Sequence, residues 1–138
     1  MEEPAQLHVG DYVVRLEEDV VYVRGVGIVT VQIARDLVML LRQVKERHGH
    51  FFIIGDLREA GTIHPEARRV FIEFGTINAP LATAFYGVSL MVRGVNALLF
   101  GAANLIGKQR QNMRQFSTEQ EARTWIAAER RRLLEPKG

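Results

Sequence analysis

Between residues 56 and 68 the chain carries Asp56, Arg58, Glu59, Thr62, His64 and Arg68. Carboxylate, guanidinium, hydroxyl and imidazole are the groups from which acid–base, phosphoryl-accepting and ion-pairing sites are built. Asp56, Glu59, His64 and Ser89 are the candidates for catalysis. A nucleophile needs a base within hydrogen-bond reach and a third group to orient that base. No spacing here supplies that set, and Gly87-Val88-Ser89-Leu90-Met91 lacks the second glycine of a nucleophile elbow. The reading is therefore of a non-enzymatic protein. Asp56, Arg58, Glu59, Thr62, His64 and Arg68 become contacts for a partner protein, made by a loop over residues 56–62 and the helix after it. Asp56 equally suits the plainer role of capping the turn that follows its strand.

Two further patterns invite chemistry and do not complete it. Gly25-Val26-Gly27-Ile28-Val29-Thr30 lies between a strand and a helix, as a phosphate-cradling loop would. Its third glycine is replaced by Thr30, and no acidic residue follows where a dinucleotide fingerprint requires one. A turn with Thr30 as helix N-cap explains it. His48-Gly49-His50 could begin a metal site, but only His64 lies near in sequence and no tetrahedral set results. Neither a metal nor a cofactor is expected.

The elements that must position these residues follow from apolar pattern. Phe51-Phe52-Ile53-Ile54 runs into Gly55-Asp56. A continuous apolar run bounded by turn residues is a buried central strand in a parallel sheet, and its carboxyl end is where open α/β sheets place working residues. Before it come a loose lead-in (residues 1–9) and a hairpin of strands 11–17 and 20–26 at the sheet edge. Helix 30–48 then sets Ile33, Leu37, Leu40, Leu41 and Val44 on one face, with Gly49 at C′. Its return to the strand at Phe51 makes a right-handed crossover. Pro65 opens a second helix to about Gly75, with Ala67, Val70, Phe71 and Phe74 inward and Arg68 and Arg69 outward. A fourth strand (84–90), a third helix (92–106) and a last, far-edge strand (113–116) follow. The final helix has Ser117 as N-cap and Gln120 at N3, an inner face of Ala122, Trp125, Ile126 and Leu133, and a stop at Pro136. One domain over residues 10–134 results, with a tail at 135–138.

The 138 residues carry 18 Lys and Arg against 16 Asp and Glu, a net charge of +2. The basic excess falls after residue 57, but no aromatic-interleaved basic motif accompanies it, which argues against nucleic acid as partner. Cysteine is absent, and Met1-Glu2-Glu3-Pro4 is acidic with no apolar h-region, so no secretory leader is expected; both fit the cytoplasm. From residue 85 to 106 the one charge is Arg93. Arg93, Asn96, Asn104 and a strand-like start oppose a membrane span. The largely uncharged region 86–106, with the third helix, instead offers Tyr86, Met91, Gly94, Leu98, Gly101 and Leu105 as a surface that pairs with a second copy or covers an apolar, lipid-like ligand.

Taken in order, these features resemble the SpoIIAA-like superfamily, the STAS domains of anti-sigma-factor antagonists and their CRAL-TRIO-like relatives. The resemblance covers about residues 10–130. It is carried by the hairpin, the strand end Ile53-Ile54-Gly55-Asp56-Leu57, the Pro65-started helix, and the close Phe116-Ser117-Thr118-Glu119-Gln120-Glu121-Ala122-Arg123-Thr124-Trp125-Ile126. It implies an α/β fold with a central mixed sheet of about five strands and four helices, and a regulatory, partner-binding role. In the phosphorylated antagonists a serine follows the Asp–apolar strand end. Here that position is Arg58, which cannot accept a phosphoryl group. Thr62 is the nearest hydroxyl. The expectation is an interaction module without the usual phosphoserine switch.

Overall fold

The structure, a computed structural model, describes residues 6–87 and 112–135. The elements are β1 (Gln6–Val9), β2 (Tyr12–Glu17), β3 (Val20–Val29), α1 (Val31–His48), β4 (Phe52–Ile63), α2 (Pro65–Ile77), β5 (Ala82–Tyr86), β6 (Met113–Phe116) and α3 (Glu119–Leu134). The six strands form one mixed sheet in chain order. β1, β2 and β3 pair antiparallel; β3, β4, β5 and β6 pair parallel.

Alternation along each strand assigns the two faces. Val14, Val21, Phe51 and, more partially, Ile53 pack under α1 and α2, together with Leu37, Leu41, Val44, Ala67 and Phe74. Val20, Tyr22, Phe52, Ile54, Ala82, Ala84 and Tyr86 pack under α3 against Ala122 and Ile126. Phe52 and Ile54 on β4 thus face α3, and by the same period Asp56 does too. The small Ala82 and Ala84 let α3 lie close to the sheet, where larger side chains would lift it off.

The helix ends follow expected capping chemistry. Thr30 Oγ1 accepts from Ile33 N at 3.2 Å, and Gly49 closes α1 in the left-handed conformation. Pro65 occupies the first turn of α2. α3 is capped by Thr118 rather than Ser117. Thr118 Oγ1 accepts from Glu121 N at 3.2 Å, because Thr118 and Glu121 satisfy the capping-box spacing one residue later than Ser117 and Gln120.

Other differences are of extent. The lead-in is partly strand: residues 6–9 pair with β2 and displace the hairpin from the edge. Residues 25–29 are not a turn. They continue β3 beside a β4 of 12 residues, so the expected loop at 56–62 is strand as well. β5 begins at Ala82, two residues early. Leu133 is not inward but 38% exposed, since the end of α3 outruns the sheet. Three helices are seen among the described residues; the expected helix over 92–106 lies outside them. No described helix is long and apolar enough to cross a membrane.

The extension of β3 and β4 depends on glycine. Pairing with β2 ends at Arg24 and pairing with β5 ends at Asp56. Beyond them, among the described residues, the two strands continue alone, with register shifts between Arg24 and Val26 and between Gly27 and Val29. Gly27 has φ +72°, and a Cβ on Gly61 would lie 2.9 Å from Gly27 C. The Gly27 backbone can approach this closely only because residue 61 lacks a side chain, while Gly27 itself is required by its positive φ, a Cβ there meeting nothing within 4 Å. Tyr12 Oη donates to Gly27 O at 3.4 Å and His64 N to Val29 O at 3.0 Å, tying the ribbon to the body.

Candidate functional site at the carboxyl end of the central strand

Asp56 is the last β4 residue paired to both neighbours, and it is 1% exposed. A carboxylate withdrawn from water must be matched by charge and hydrogen bonds. Arg58 supplies both. Its backbone N–H donates to Oδ1 at 3.1 Å, its Nε to Oδ1 at 3.0 Å, and its Nη2 to Oδ2 at 2.6 Å. Burial alone would raise the Asp56 carboxyl; the Arg58 side-chain and backbone bonds outweigh it and hold the group below the usual carboxylate range. The Arg58 guanidinium is correspondingly pushed up by Asp56. Its side chain nevertheless remains 63% exposed.

The stem of Arg58 is held in place. It passes over Gly87, whose φ is +80°, and a Cβ on Gly87 would collide with Arg58 Cγ. The guanidinium carbon stands 5.9 Å from the centroid of the Tyr86 ring. Tyr86 in turn shares a 2.5 Å hydrogen bond with Tyr22 and donates to Glu119 Oε1 at 3.2 Å. Burial and the bond to Tyr22 raise the Tyr86 phenol above its ordinary value, so it stays a donor. Glu119 accepts from Arg123 Nε at 2.6 Å, and Arg123 Nη1 reaches Glu17 on β2 at 2.9 Å. Arg15 lies 4.1 Å and Arg123 5.4 Å from the Tyr22 ring centroid. A polar path therefore runs from Arg58 across β4, β5 and β3 to the first turn of α3.

The structure places the other expected site residues along and just after the ribbon. Glu59 is exposed and paired with Arg24. Thr62 is exposed near the ribbon tip. His64 is a cap: its Nδ1 accepts from Glu66 N at 3.2 Å. Arg68 lies one turn further on, half-buried, with its N–H bonded to His64 O. Asp56 and Arg58 are brought together; Thr62, His64 and Arg68 are not joined to them. His50 bonds Asp19 at the opposite end of the sheet, and no group of three metal-ligating residues occurs among the described residues. On the expected apolar surface, Tyr86 is buried beneath α3, while Met91, Gly94, Leu98, Gly101 and Leu105 lie outside the described residues.

Sequence reasoning missed Tyr22, Gly87, Glu119 and Arg123. Tyr22 and Tyr86 are 64 residues apart and meet only because β3 and β5 flank β4. The signal for Arg123 was available, since Glu119 stands one helical turn before it.

No family model matches the sequence, and no curated protein matches it. Solved structures do. One is an uncharacterised protein of the DUF3478 family with a SpoIIAA-like fold, from Shewanella loihica PV-4. It has TM-score 0.63 and 14% identity, covering 91% of this chain and 98% of that one. Another is the anti-sigma factor antagonist SpoIIAA in its unphosphorylated form, at TM-score 0.57 and 12% identity, covering 84% and 97%. The chain has the SpoIIAA-like fold.

Proposed function

We propose that this chain is a non-enzymatic, regulatory interaction module that engages a protein partner through the carboxyl end of β4. The observation that carries this reading is a buried carboxylate whose cation is left 63% exposed at the base of a two-stranded ribbon. The fold shared with an anti-sigma factor antagonist supports it. With Arg58 where a phosphoacceptor would stand, the module is read as constitutive, its contact made by an ion pair and not switched by phosphorylation. Further along, the ribbon presents Ile28, 60% exposed, and the exposed Thr62, a mix of apolar and polar contacts suited to a protein surface.

Site-specific photocrosslinking tests the reading. A photoreactive residue replaces Thr62 in the full chain, and a control replaces Glu46 on the exposed side of α1. In the native host, position 62 is expected to give a discrete higher-mass adduct that position 46 does not. No adduct, or the same adducts at both positions, sinks it.

A further inference from the structure

We infer that Arg58 is a receptor for a carboxylate side chain of the partner, with Asp56 acting as its support. The inference deepens the proposed interaction reading and rests on it.

Arg58 has five N–H donors in a fixed fork. Nε and one hydrogen of Nη2 are spent on Asp56. The edge formed by Nη1 and the remaining Nη2 hydrogen makes no hydrogen bond among the described residues, and the side chain is 63% exposed. Two parallel donors at this spacing match the two oxygens of one carboxylate. The fork is also already ordered. Asp56 grips its inner edge, Gly87 leaves room for its stem, and the Tyr86 ring lies beside it. A rigid arginine surrenders little side-chain entropy when it binds.

Charge decides between anions. Asp56 neutralises Arg58, and the neighbouring Arg24 is spent on Glu59. A doubly charged phosphate would face Asp56 and Glu59 with no surplus cation to offset them among the described residues. A singly charged carboxylate suits the site. It would be carried on an extended segment lying along the edge of β4 past Asp56, where pairing with β5 has stopped and no other described strand takes its place.

Matching Asp56 needs a cation and hydrogen bonds, which the backbone N–H of residue 58 and a lysine ammonium can also supply, whereas reading a carboxylate on the far side needs the fork. Arg58→Lys therefore separates the two roles. The test is selection of random heptapeptides displayed against the immobilised full chain, with a parallel panel of the enriched peptides carrying phosphoserine in place of the acidic residue. Wild type is expected to enrich peptides with Asp or Glu at one fixed position. Arg58→Lys should unfold at the wild-type urea midpoint yet bind those peptides about 10-fold more weakly. Arg58→Glu should shift the enriched position to Lys or Arg. Acidic enrichment that survives Arg58→Lys overturns the inference, as does enrichment with no acidic position, or none. Tighter binding of the phosphoserine panel overturns the choice of carboxylate. A crosslink at position 62 without acidic enrichment refutes the receptor and leaves the interaction reading standing; loss of both refutes both.

Discussion

Two aspartates lie at opposite ends of the same sheet, and their arrangements differ in kind. Asp19, in the β2–β3 turn, accepts from Arg130 on α3 and lies 2.9 Å from His50 Nε2 just before β4. Its partners are 31 and 111 residues away. Asp56 is held by Arg58, two residues away. A long-range ion pair restrains parts of the chain that would otherwise separate, and so belongs to the stability of the fold. A pair between residues i and i+2 cross-links nothing. Asp19 is met from several sides, with Arg130 also lying over the Phe52 ring at 5.3 Å. Among the described residues Arg58 is met from one side only, and its side chain is 63% exposed. The same chemistry is structural at one end and presented at the other.

The comparison can be broken at its structural end first. Asp19→Ala leaves Arg130 and His50 without their acceptor and loosens the last turns of α3. The expected loss is about 2 kcal/mol by urea denaturation, below the value for a fully buried pair because water reaches Arg130. A loss no larger than that of a surface alanine would remove Asp19 as a staple. Gly87→Ala acts at the other end. The left-handed backbone at φ +80° costs a non-glycine residue about 1–2 kcal/mol, and the new methyl displaces the stem of Arg58. Partner adducts at position 62 should fall along with stability. Retention of full adduct yield would show that the fixed pose of Arg58 is dispensable.

The smallest expected effect is the most discriminating. Both carboxyls are held below their ordinary range, in each case by bonds that outweigh burial: from Arg58 for Asp56, and from His50 and Arg130 for Asp19. A depressed folded-state value stabilises at pH above the unfolded value, about 3.9, and that contribution is lost as pH falls through the folded value. Stability should therefore decline on acidification below about pH 4. Asp56→Asn and Asp19→Asn should each flatten that decline, measured as urea midpoint against pH. An unchanged slope in Asp56→Asn would mean that Arg58 does not hold the carboxylate in solution.

How far the sequence revealed this depends on range. Phe51-Phe52-Ile53-Ile54 announced the central strand because burial on both faces demands an unbroken apolar run. Thr30, Gly49 and Pro65 announced their helix ends because capping is local chemistry. Asp56 and Arg58 were legible as candidates from their place after that run. Their mutual bond, the exposure of one and the burial of the other were not, since these depend on β5 and Gly87 arriving alongside. The ribbon does not read as strand in the sequence because its glycines ordinarily mark turns; here Gly61 serves close backbone approach and Gly27 a left-handed residue within the strand. The tyrosine pair and the Glu119–Arg123–Glu17 chain span up to 106 residues of sequence, and no local pattern announces them.

The short β1 has a consequence for how the molecule behaves in concentrated solution. Its four residues, Gln6–Val9, cover the outer side of the six-residue β2. A brief strand bearing Gln6 and His8 makes a poor template for another chain, whereas a bare β2, with Tyr12, Val14 and Leu16 behind it, makes a good one. Trimming the chain to residue 10, where composition suggests the fold begins, would uncover that template. Of the described residues lost, Val9 belongs to the core and Leu7 packs against it, and the strand they form is what covers this edge of the sheet against a second copy.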